Sequence, residues 1–128
     1  MFKSKLRPII IPQTEHARLS GILAHLWGND RIAPPPVERA AFTMGVTYHD
    51  RGYGSLDTMP IGEVDEQVWL ATQRRGIETP LTNIIADTVA LVHIRRLLTY
   101  TDHPGAKPLL ALADQRIEDN IRQTSHTR

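Results

Sequence analysis

The chain has no cysteine. That excludes disulfides, thiolate metal sites and a cysteine nucleophile, and it is compatible with the cytoplasm. Charge of one sign is also missing in excess. Fifteen basic residues face fourteen acidic ones, for a formal charge of +1, which predicts neither a nucleic-acid stripe nor a polybasic membrane patch. No window approaches the roughly 18 uninterrupted apolar residues of a transmembrane helix. Met1 to Arg7 is basic, like the start of a signal peptide, but Ile9-Ile10-Ile11 is too short and is bounded by Pro8 and Pro12. The expectation is a mature cytoplasmic protein. Phosphate-cradling GxxxxGK[ST], dinucleotide GxGxxG, nucleophile-elbow GxSxG and zinc-protease HExxH are all absent, as are internal repeats and a heptad seam.

What is present is an ordinary globular composition, 41% hydrophobic and 23% charged over 128 residues. It suits one domain, residues 1–128, with a modest core. Residues 1–12 read as an extended lead-in or short edge strand, because the isoleucines are β-branched and proline-bounded. About five helices follow. The first is expected from Thr14 as cap to Trp27, closed by Gly28-Asn29, with Leu19, Ile22, Leu23 and Leu26 as its apolar stripe. His16 lies on that stripe and His25 faces outward.

Pro34-Pro35-Pro36 stiffens the next loop, and Pro36 can start a second helix that ends near Tyr48 or His49. Its apolar residues wrap most of the way round, so it should be the central, most buried helix. Gly52, Gly54, Pro60 and Gly62 make residues 51–62 a loop with sharp turns. Tyr53 and Asp57 are candidates there for holding substrate, with turn formation the plainer role for Asp57. The third helix should run from Glu63 to Arg75 and stop at Gly76, with acids at its start and arginines at its end. The fourth should take Thr79 as cap and Pro80 as first residue and reach Tyr100. The last covers Lys107 to Gln123, followed by a frayed tail, residues 124–128.

The stretch that carries chemistry is Tyr48-His49-Asp50-Arg51-Gly52-Tyr53-Gly54, after the mostly apolar run Ala40 to Val46. A histidine and an aspartate side by side there are costly to bury without compensation. A metal ion would compensate them, since neutral imidazole and carboxylate are natural ligands. So would a helix C-terminus, where histidine meets the last carbonyls and glycine stops the chain. Antiparallel packing of the first two helices brings the start of one beside the end of the other, and so His16 close to His49 and Asp50. Asp87 and His93, six residues apart and about 240° around a helix axis, cannot easily bind one ion together. Either could point at this site. Asp87 could instead pair with an arginine, and His93 could be a hydrogen-bonded core residue.

The order His … His-Asp … Asp on helices, centred on His49-Asp50-Arg51-Gly52, resembles the HD superfamily of metal-dependent phosphohydrolases. The resemblance implies an all-α, HD-domain-like bundle binding one or two divalent ions (Mn, Fe, Mg, Zn, Ni or Co) and cleaving phosphate esters of nucleotides. His16, His49 and Asp50 would hold the metal and Asp87 or His93 would complete it. A hydroxide on that metal, at His49 and Asp50, would attack phosphorus, while Arg51, Tyr53 or Arg18 would meet the phosphate. A closer resemblance is to a family of uncharacterised bacterial proteins, a domain of unknown function. It rests on Ile11-Pro12-Gln13-Thr14-Glu15-His16-Ala17-Arg18-Leu19-Ser20-Gly21, Trp27-Gly28-Asn29 and His49-Asp50-Arg51-Gly52-Tyr53. Members of that family are longer, with a further aspartate in later helices, so this chain reads as a shortened member. The leading expectation is an HD-type hydrolase of a phosphorylated small molecule or nucleotide. The alternatives are a non-catalytic interaction module, forming a homo-oligomer, and a di-iron oxygenase on the same scaffold.

Overall fold

Two residues of strand, Phe2–Lys3 (β1), pair antiparallel with Ile10–Ile11 (β2), Phe2 opposite Ile11 and Lys3 opposite Ile10. Pro12 then ends the extended lead-in and begins the first helix. The computed structural model describes residues 2, 3, 5–60 and 63–126. Five helices follow: α1 Gln13–His25, α2 Arg39–Thr47, α3 Glu66–Glu78, α4 Ile84–Thr99 and α5 Ala106–His126, with a 3-10 turn at Gly54–Thr58. The all-α expectation with a short extended N-terminus holds. Among the described residues no helix is long and apolar enough to cross a membrane.

Helix α1 does not bury its leucines. Its inner face is Gln13, Ala17, Gly21 and Ala24, while Leu19, Ile22, Leu23 and Leu26 are 45–70% exposed. The expected stripe is therefore on the outside. The small residues win the inner face because they let α1 and α2 approach closely. A Cβ on Gly21 would lie 2.0 Å from Thr47 Oγ1. Helix α2 repeats the device at Gly45, where a Cβ would lie 2.6 Å from the Ala86 carbonyl oxygen of α4.

The central, most buried helix is α4 rather than α2. Ala86, Asp87, Ala90, Leu91, Ile94 and Leu98 are all buried on it, whereas α2 buries only Ala41 and Gly45. The apolar core joins α3, α4 and α5 through Leu70, Ile77, Leu91, Ile94, Leu98, Leu109 and Ala113. The α1–α2 pair rests on this core through α2 against α4.

Several helix starts differ from expectation for one reason: polar side chains other than the expected ones provide the caps. Asp57 accepts from the main-chain N–H groups of Gln13 and Thr14, and from the Thr14 hydroxyl. Thus α1 is capped from a distant loop, and Thr14 is not its cap. Glu38 caps α2 through Ala40 and Ala41, each at 2.8 Å, two residues beyond Pro36. Asp65 caps α3 and Asn83 caps α4, so Thr79-Pro80 is connecting chain. Helix α3 runs through Gly76 to Glu78, and its backbone packs directly against Gly52. A Cβ on Gly52 would lie 2.3 Å from the Thr72 carbonyl oxygen and 2.9 Å from Gly76 N. Helix α5 continues through Thr124 to His126 where fraying was expected; Thr127 and Arg128 lie outside the described residues.

Candidate metal centre

Close packing at Gly21 and Gly45 puts the first turn of α1, the end of α2 and the middle of α4 side by side. Past α2 the chain turns tightly, with Arg51 N donating to Tyr48 O and Tyr53 N to Asp50 O. In that turn His49 Nδ1 donates to the Val46 carbonyl, 2.5 Å away. This is the helix-end role foreseen for a histidine here, and it also fixes the ring. With Nδ1 as donor, Nε2 is the nitrogen left to bind.

His49 Nε2 lies 3.2 Å from Asp50 Oδ2, both side chains being under 10% exposed. His93 Nε2, from α4, lies 3.6 Å from the other oxygen, Oδ1. The His49 ring meets that of His16 edge-on at 5.3 Å and that of His93 at 4.4 Å. His16, His49 and Asp50 each offer one donor atom, and the three atoms lie within 4.8 Å of one another. Two imidazoles and a carboxylate are a donor set that borderline divalent ions accept, so this group could hold a metal ion.

The electrostatics follow from burial and crowding. Burial first, then the His49 neighbour, lowers the pKa of His16 against the pull of Asp50, keeping the imidazole neutral as a ligand must be. Burial opposes charge on His49 too, but the hydrogen bond to Asp50, the charge of Asp50 and the Val46 carbonyl outweigh it and raise its pKa. The Asp50 side chain is only 6% exposed, which alone would raise its pKa. Hydrogen bonds from His49 and His93, and their charges, hold it well below the usual carboxylate range. Of six histidines, His16, His49 and His93 converge. His25 is exposed, and His103 accepts from Gly105 N and sits beside Gln67.

Asp87 does not reach the centre. It is 2% exposed and accepts from Arg51 Nη2 (3.1 Å), Leu81 N (2.9 Å), Arg116 Nη2 (2.7 Å) and Asn120 Nδ2 (2.9 Å). Between the two candidates of α4, it is His93 that touches the His-Asp pair. The same network occupies Arg51, whose Nε also donates to the Thr79 carbonyl at 2.7 Å. Arg51 is thus a strut between the turn and α4 that also borders a cleft, with its Nη1 buried and without a hydrogen-bond partner among the described residues. Arg18 is exposed and paired with Glu15 at 2.8 Å.

Tyr53 is buried. Burial first, and the Asp50 charge second, raise its pKa, so its phenol stays protonated. It helps line a cleft of about 620 Å³ together with Gln13, His16, Asp50, Trp69 and His93. Leu97 and Tyr100 also line it. Among the described residues lining it there is no lysine or arginine. A second cleft, of about 420 Å³, shares Gln13, Asp50 and Tyr53 and carries Arg18 and Arg51.

Trp69, Tyr100 and Gln13 were not among the candidate site residues read from the sequence. Gln13 did carry a signal, since it stands three residues before His16 and shares its helix face. Its Nε2 donates to Asp50 Oδ2 at 3.0 Å.

No curated protein and no solved structure matches the chain. The profile of a family described as protein of unknown function (DUF3891) matches residues 3–67. That stretch contains Gln13, His16, His49, Asp50, Tyr53 and Asp57, and it ends in the first turn of α3, before His93. Because the match spans more than half of the 128 residues, the chain belongs to the DUF3891 family.

Proposed function

We propose that the protein is a metal-dependent hydrolase of HD type acting on a phosphorylated small molecule. The observation that supports it is the convergence of His16, His49 and Asp50, one donor atom each within 4.8 Å, beside a cleft large enough for a small substrate. His93, its Nε2 3.6 Å from Asp50 Oδ1, would complete the set as a fourth donor. A divalent ion at this place supplies a Lewis acid that polarises a phosphoryl oxygen and lowers the pKa of a bound water. The protein's own part is positional. Val46 fixes the ring of His49, Gln13 holds Asp50, and Tyr53 keeps a protonated phenol at the cleft. With no lysine or arginine among the described lining residues of the larger cleft, the ion would carry most of the charge complementarity to a phosphate.

The test is metal analysis of the purified chain beside His49→Ala, followed by assay with p-nitrophenyl phosphate and bis(p-nitrophenyl) phosphate in Mn²⁺, Co²⁺ or Zn²⁺. Metal in the wild type and its loss in the variant, with hydrolysis that needs His49, supports the reading. Equal metal in both proteins removes it. Iron content with oxygen consumption, and no ester cleavage, would favour the di-iron oxygenase instead.

A second reading, a self-associating interaction module, is favoured by the outward face of α1. Leu19, Ile22, Leu23 and Leu26 are exposed at helical spacing. Light scattering showing a dimer that Leu23→Glu converts to a monomer would support it. A wild-type monomer would dismiss it.

A further inference from the structure

Gln13 is 3% exposed, the first residue of α1, and one of few buried polar side chains. Its amide can face Asp50 in only one sense, because a carboxylate needs a donor. Nε2 therefore points at Asp50 Oδ2, 3.0 Å away, and Oε1 points elsewhere. Oε1 is buried and has no hydrogen-bond partner among the described residues. A buried acceptor left without a donor is costly, and a donor arriving from the clefts would relieve that cost. The residue borders both clefts. Its backbone is pinned from outside the helix, since the Asp57 carboxylate accepts from Gln13 N.

We propose that Gln13 is a positioning residue of the metal centre. Its Nε2 occupies one side of Asp50 Oδ2 and so fixes the direction in which the carboxylate presents its remaining lone pairs to an ion. Its Oε1 receives a hydrogen bond from a hydroxyl, N–H or water brought into the cleft. The two ends of one amide thus couple the ligand Asp50 to the occupant of the pocket. This rests on the metal reading given above. The carboxylates and histidines alone do not require it, since a purely structural Gln13 would find partners for both ends inside the protein.

The experiment is Co²⁺ titration of the whole chain, read by visible absorption and calorimetry, for wild type, His49→Ala, Gln13→Met and Gln13→Glu. Methionine keeps the length of the side chain and removes both hydrogen-bonding groups. Glutamate keeps the shape and replaces the donor by an oxygen. Gln13→Met is expected to bind Co²⁺ about 10–100-fold more weakly, the usual cost of losing a partner behind a ligand, with the melting temperature kept or raised. Gln13→Glu is expected to shift the Co²⁺ absorption, a readout available even where methionine does not fold. Unchanged affinity and spectrum in both variants overturn the role of Gln13 and leave the metal reading standing, provided wild type binds and His49→Ala does not. Failure of wild type to bind Co²⁺ overturns both together.

Discussion

Arg51 Nη2 donates to Asp87 Oδ1 across 3.1 Å, with the two side chains 6% and 2% exposed. The pair ties the turn after α2 to α4, and Arg116 closes the other side of Asp87 at 2.7 Å. Removing one partner of such a group leaves the rest buried and uncompensated, which costs about 3–5 kcal/mol. Asp87→Ala should therefore lose that much in urea denaturation while its folded fraction keeps its metal. His93→Ala should do the reverse, with small change in stability and clearly weaker metal binding by calorimetry.

Metal removal should be visible in stability. An ion bound at 100 times its Kd stabilises a folded protein by about 2.7 kcal/mol. Chelation should lower the melting temperature of wild type and leave His49→Ala and Asp50→Ala unmoved. A chelator-insensitive melt of wild type would contradict the centre.

At the α1–α2 crossing, Gly21→Ala places a methyl 2.0 Å from Thr47 Oγ1. Forced overpacking of this kind costs about 1–3 kcal/mol. Thr47→Ala removes the opposing hydroxyl, and the double variant should recover much of the loss. The coupling energy in a double-mutant cycle checks the crossing directly.

Asp57 gives a pH dependence. Burial opposes its ionisation, but the Thr14 hydroxyl and the main-chain N–H groups of Thr14 and Gln13 together outweigh it and hold its pKa below the ordinary value. Its capping contribution is therefore complete above about pH 4, the ordinary aspartate pKa, and is lost as pH falls through the lower folded value. Asp57→Ala should destabilise by about 1 kcal/mol at pH 7. The gap to wild type should close in acid, as followed by denaturation at pH 7 and pH 2.5.

His16, His49 and Asp50 were readable because short-range rules reach them. A histidine in the first turn of one helix and a pair at the end of the next meet whenever the two helices are antiparallel neighbours. The inward face of α1 was not readable by hydrophobicity, since Ala17, Gly21 and Ala24 bury little surface and act by permitting approach. Asp57 capping α1 from 44 residues away is a tertiary contact that no local pattern encodes. Gly76 reads as a helix stop until Ile94, from another helix, is seen to lie where its Cβ would be. Asp87 and His93 could be separated only once Arg51 and Arg116 had positions.

The seam between α2 and α4 is where two styles of construction meet: glycine-mediated contact on the N-terminal side, interlocked aliphatic side chains on the C-terminal side. Gly45 supplies contact there without much hydrocarbon to hold it. The His-Asp pair and His93 face each other across the same seam, so a cation among them would act as a rivet. Its departure would loosen one half of the molecule from the other before either half melts.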